Sequence, residues 1–92
     1  MADMINPSVP QVVINSVIAK VMLDEAYSPH WDAEFGDSYR YCDMTPVVHV
    51  AKVFDSVNEW GDSWYVEVQY SSKGARAGYG VNADHVPTCY VN

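Results

Sequence analysis

At 92 residues, 49% hydrophobic and 13% aromatic, the chain carries enough apolar side chains for one modest core, which excludes a disordered polymer and leaves no room for a second domain. Twelve Asp and Glu against five Lys and Arg give a formal net charge of −7 and a pI near 4.5. Such a field repels phosphate backbones and anionic lipid surfaces, and so argues against direct nucleic-acid binding and membrane association.

The opening "MADMINPSVP" has neither the basic n-region nor the apolar h-region of a secretory signal. No apolar run approaches the roughly 18 residues that span a bilayer. A cytoplasmic location is expected. Ser8, Pro10 and Gln11 then form an S-x-x-Q helix start, and Ile14, Val17, Ile18, Val21 and Met22 recur at helical spacing. Ser16, Lys20 and Asp24 fall on the other side. These residues predict a helix over about 8–26, stopped where Pro29 disfavours helical geometry at Ser28.

The connector 27–44 holds "HWDAEFGDSYRYCD" at 30–43, with four carboxylates, four aromatic rings, a histidine, an arginine and a cysteine. A calcium loop starting at Asp32 fails where it is strict, because Gly36 occupies a ligand position and Asp37 the glycine position. Close Cys or His pairs of the kind that hold zinc are absent, so no metal is expected. Trp31 and Phe35 read as inward anchors. Tyr, Trp and Arg are enriched at interaction hot spots, and surrounding carboxylates steer a surface towards a cationic partner. Asp32, Glu34, Asp37, Tyr39, Arg40, Tyr41 and Asp43 are therefore the candidate partner-binding residues.

"TPVVHVAKVFDSVNEWG" reads as a second helix over about 46–59, with Thr45 as cap, Pro46 in the first turn and Gly61 as stop. It would place Val47, Val50, Ala51, Phe54 and Val57 on one face. A strand would put His49 and Lys52 on opposite faces, although the valines favour sheet. From 63 the period is two: Trp64, Val66, Val68 and Tyr70 alternate with Tyr65, Glu67 and Gln69. "SSKG" turns the chain, with Gly74 left-handed, and Ala77, Tyr79 and Val81 return opposite Arg76, Gly78 and Gly80, completing a hairpin over 63–82. After the turn "NADHVP", "TCYV" gives a short strand at 88–91. Cys42 and Cys89 are expected as reduced thiols, since two cysteines make no disulfide framework.

The expected fold is α+β, with two helices packed on a small antiparallel sheet of about three strands in one domain spanning 1–92. If 46–59 is a strand instead, "WYVEVQY", the glycine-containing return strand and "ADHVP" loosely resemble an SH3-like β-barrel, with a single helix beside it.

No G-x-S-x-G, H-E-x-x-H or phosphate-binding glycine loop occurs. His30 or His85 beside Asp32 or Asp84 would make a base and its orienting acid, but any small domain with these counts offers such pairs on paper. No enzymatic activity and no cofactor are expected. The outer face of the hairpin, with Tyr65, Glu67, Gln69, Arg76, Gly78 and Gly80, has rings to stack bases but the wrong charge around them. The expected function is an acidic, non-enzymatic protein-binding domain whose partner presents a basic surface. In size, acidity and lack of motifs the chain resembles the small phage-encoded anti-CRISPR and anti-restriction proteins. That resemblance implies an inhibitor acting in the host cytoplasm, which blocks a nucleic-acid-binding surface by placing carboxylates where phosphates would lie. The alternative is a structural or accessory subunit that completes a larger assembly.

Overall fold

Asn6 and Pro10 decide where the helix begins. In the computed structural model, which describes residues 4–26, 30–32, 37–39, 45–70 and 74–91 and side chains within 5–23, 45–70 and 74–88, Asn6 Oδ1 accepts the N–H of Ser8 at 2.8 Å. The Asn6 carbonyl accepts that of Val9 at 3.0 Å, and the Pro10 carbonyl takes the N–H groups of Val13 and Ile14 at 3.0 and 3.4 Å. Asparagine competes for the backbone donors that a helix would leave unpaired. The helix α1 (Gln11–Ala26) therefore starts three residues later than the capping spacing predicts.

The face it buries is the expected one with Val13 added and Met22 left out. Val13, Ile14, Val17 and Val21 are buried, Ile18 is partly so, and Val12, Met22 and Leu23 are exposed. Ser16, Lys20 and Asp24 leave a wide apolar arc, and the sheet takes Val13 rather than Met22 from its edges.

The sheet has the strand order β1-β4-β5-β6-β7. Its members are β1 (Met4–Ile5), β4 (Val47–Val53), β5 (Asp62–Gln69), β6 (Arg76–Asn82) and β7 (Pro87–Val91), with β2 (His30–Asp32) and β3 (Asp37–Tyr39) pairing separately. Strands β4 to β7 are antiparallel neighbours, and β1 adds a short parallel edge on Val50 and Ala51. The architecture is α+β, as expected, but with one helix and more strands among the described residues. One helix matches the alternative layout, and the strands form a sheet with β1 and β7 as its two edges.

The second helix predicted over 46–59 is instead the strand β4 and the loop after it. The argument against a strand fails on one residue. A register shift between Val48 and Val50 leaves His49 as the extra residue of a bulge, which resets the alternation. Val48 and Ala51 can then both be buried, while His49 reaches Gln69, with Nε2 and Oε1 2.8 Å apart.

The alternation read in the sequence of β5 and β6 holds. Val66, Val68, Ala77, Tyr79 and Val81 join Val48, Ala51 and Tyr70 in the core beneath α1. Residues 71–73 lie outside the described set, but Tyr70 N–H donates to the Ala75 carbonyl at 3.0 Å and Gly74 has φ +90°. That is the left-handed position expected of this glycine.

The orientation of α1 predicts contrasting substitutions. Val17→Asp, which buries an unpaired carboxylate, should cost several kcal/mol and abolish cooperative unfolding. Met22→Gln on the exposed face should stay within about 0.5 kcal/mol of the parent in a urea titration. The reverse order would mean that Met22 rather than Val17 packs on the sheet.

Candidate functional site

Two asparagines build the same turn twice. Asn58 Oδ1 accepts the N–H groups of Trp60 at 3.1 Å and Asp62 at 2.8 Å. Asn82 Oδ1 accepts those of Asp84 at 2.9 Å and Val86 at 3.1 Å. Each asparagine also donates its N–H to the carbonyl four residues on and accepts at its own carbonyl the N–H three residues on, all between 3.0 and 3.2 Å. The fourth residue is left-handed in both, Gly61 at φ +82° and His85 at φ +66°. Glycine adopts this at no steric cost, whereas histidine does so against a modest penalty. The His85 ring lies against Trp64, with centroids 5.4 Å apart.

Topology brings the two turns together. One joins β4 to β5, the other joins β6 to β7, and β5 and β6 are neighbours with Asp62 paired to Asn82. Both turns therefore sit at the same end of the sheet. Asp62 ties them. It is only 1% exposed, yet its Oδ1 accepts from the Thr88 hydroxyl of β7 and its Oδ2 from Asn58 Nδ2 at 3.3 Å. Thr88 also reaches the Gly80 carbonyl at 3.3 Å. Gly80 is required here because a Cβ would run into the Asp62 carboxylate. Among the described residues no buried side-chain nitrogen or oxygen lacks a hydrogen-bond partner.

On this frame stand exposed apolar side chains: Val57, Val86 and Trp60, the last 67% exposed. Asp55, Glu59 and Asp84 are exposed beside them in the chain. Neither 53–72 nor 77–92 contains a lysine or arginine. The nearest cation in the sequence is Lys52, which pairs across to Tyr65. The two loops thus expose an indole, two valines and three carboxylates and hold no lysine or arginine.

The outer face of the sheet is organised differently. The Tyr65 ring lies over Gly78, where a Cβ would come within 2.7 and 2.8 Å of ring carbons. Its hydroxyl donates to Glu67 at 2.9 Å, and Arg76 approaches the same carboxylate at 3.9 Å. Partial burial, then the Glu67 hydrogen bond and charge, push the phenol up to about 12. The glycine thus makes room for a ring that is already engaged, rather than clearing a stacking platform.

Of the residues predicted to bind a partner, Asp32, Asp37 and Tyr39 fall in the β2–β3 hairpin. There the backbone register sets Asp32 opposite Asp37 and His30 opposite Tyr39. Glu34, Arg40, Tyr41 and Asp43 lie outside the described residues, as do Phe35, Cys42 and the side chains of Trp31 and Cys89. The connector leads into a strand rather than a second helix. Sequence reasoning did not place Val57, Glu59, Trp60 or Asp84 among the partner-binding residues. The available signal was the repeated asparagine, four residues before the strand start at Asp62 in "NEWGD" and five before that at Pro87 in "NADHV".

Among the described residues no group of three or more His, Cys, Asp or Glu is placed to hold a metal ion, and no helix is long and apolar enough to cross a membrane. Comparison with protein-family models, curated proteins and solved structures finds no match.

Two predictions follow from these contacts. Asn58→Ala and Asn82→Ala each remove the acceptor of two backbone N–H groups and should cost about 1–3 kcal/mol by urea unfolding. Asn82→Asp, which keeps the acceptor oxygen, should recover most of the loss; equal losses for both Asn82 variants would refute the turn's role. The second prediction concerns Tyr65. The folded chain holds its proton more tightly than the unfolded chain, whose tyrosines titrate near 10. This contribution is complete below about pH 10 and is lost as pH rises through about 12. The difference between parent and Tyr65→Phe tyrosinate absorbance should therefore have its midpoint near 12; a midpoint near 10 would contradict it.

Proposed function

We propose that the protein is a non-enzymatic binding domain that docks through an acidic, aromatic-bearing surface on a basic face of a partner protein. The observation that carries this reading is the end of the sheet where Trp60, Val57 and Val86 are exposed in loops that hold Asp55, Glu59 and Asp84 and no cation. Apolar side chains supply affinity once desolvated, and the acids supply steering and orientation. Asp32, Glu34, Asp37, Tyr39, Arg40, Tyr41 and Asp43 extend the acidic and aromatic character along the chain and belong to the same proposal. Its sharpest form is an inhibitor that covers a nucleic-acid-binding groove, with carboxylates in place of phosphates.

A second reading, that of an accessory subunit in a larger assembly, draws on a separate observation. The exposed face of α1 carries Val12, Met22 and Leu23 with Asn15, Ser16 and Ala19 between them and no charge. Such a face fits burial in a hydrophobic contact.

Salt and competition separate the two. The full chain is used to capture its partner, and the purified pair is titrated with salt and with duplex DNA. The docking reading expects affinity to fall steeply as the screening length shortens from about 10 Å at 0.1 M to about 3 Å at 1 M. DNA should displace the domain. The amide triple variants Asp55→Asn/Glu59→Gln/Asp84→Asn and Asp32→Asn/Glu34→Gln/Asp37→Asn should fold and bind more weakly. An affinity indifferent to salt, to DNA and to both variants would overturn the proposal in favour of the subunit reading.

A further inference from the structure

We infer that the partner group seated on this surface is an arginine side chain, stacked on the Trp60 indole and paired with the carboxylates of the same loops. The inference rests on the docking reading above and names the chemistry of its recognition.

Trp60 is presented rather than merely exposed. Its backbone N–H is fixed to Asn58 Oδ1 at 3.1 Å, Gly61 N–H is held by the Asn58 carbonyl at 3.0 Å, and Asn58 is itself joined to buried Asp62. An indole on a pre-ordered backbone loses less entropy on binding than one on a loose loop. Trp60 is 67% exposed, and the face of an indole attracts cations. Glu59 precedes it in the same turn, and Asp84 holds the equivalent third position of the neighbouring turn.

This combination selects between the two cations of proteins. A guanidinium is planar, weakly hydrated and forked, so it can lie on an indole while its edge pairs with a carboxylate. An ammonium is a compact, strongly hydrated point charge; it can pair with the acids but gains less from the ring. The aliphatic stem of arginine would meanwhile cover the exposed valines.

Hexa-arginine and hexa-lysine peptides, equal in charge, test this on the full chain by calorimetry, with the indole N–H resonance of Trp60 as a local reporter. Hexa-arginine should bind about two- to fivefold more tightly, the range of an exposed cation–π contact, and should shift the Trp60 resonance. Trp60→Ala and Trp60→Leu, checked for folding by urea titration, should bring hexa-arginine down to the hexa-lysine affinity and leave hexa-lysine unchanged. Equal affinities for the two peptides, or unchanged hexa-arginine binding by the folded Trp60 variants, would overturn the inference. If that binding still vanished in the Asp55/Glu59/Asp84 amide variant, the docking reading would survive its loss. If neither peptide bound the parent chain, both would fall.

Discussion

A carboxylate taken out of water must be met by hydrogen-bond donors, and Asp62 makes that demand on three parts of the fold at once. Asn58 Nδ2 answers from the loop after β4, the Thr88 hydroxyl from the start of β7, and Gly80 of β6 answers by having no side chain. Both donors are neutral, so the group is held by geometry rather than by a counter-ion. Replacing either donor would leave the acid buried and under-satisfied, which costs more than the bond itself contributes. The register at this end of the sheet is therefore set by one polar side chain, while the hydrophobic core sets the rest.

That division explains what was legible in the sequence. The alternation of Trp64, Val66, Val68 and Tyr70, the return through Ala77, Tyr79 and Val81, and the left-handed Gly74 all follow from local period and turn chemistry. So does the existence of a helix ending near Ala26. The segment 46–59 was not legible, because the clue against a strand, His49 and Lys52 on opposite faces, assumes an unbroken pleat. A bulge is invisible to periodicity until the partner strand is known. The face of α1 was legible in Ile14, Val17, Ile18 and Val21; its edges were not, because Val13 and Met22 are both acceptable core residues and only the sheet chooses between them.

The surface was harder to read than the core. Aromatic and acidic density drew attention to 30–43, whereas density in sequence says nothing of which groups a fold brings to one end. Glu59, Trp60 and Asp84 are 24 and 25 residues apart across two hairpins, and only the neighbouring positions of β5 and β6 join them. The asparagines that shape both turns did carry a signal. Asx-type turns have a defined spacing, and "NEWGD" and "NADHV" share it. Nothing in the second pentapeptide announces left-handed geometry at histidine, so the likeness emerges from the hydrogen bonds rather than from the letters.

An exposed tryptophan is not by itself a signal, since isolated apolar side chains on a surface are ordinary. The distinction here lies in what surrounds the ring. A chain selected only for solubility would gain most by leaving its turns loose and placing charge where apolar groups show. This chain holds two turns rigid through asparagine, fixes them to a buried acid, and sets the indole and two valines at the resulting end. It still surrounds them with charge, but of one sign. Charge of both signs would serve solubility equally well, whereas a single sign distinguishes among partners. The order of the turns and the sign of the charge in their loops are the two features on which the docking proposal rests.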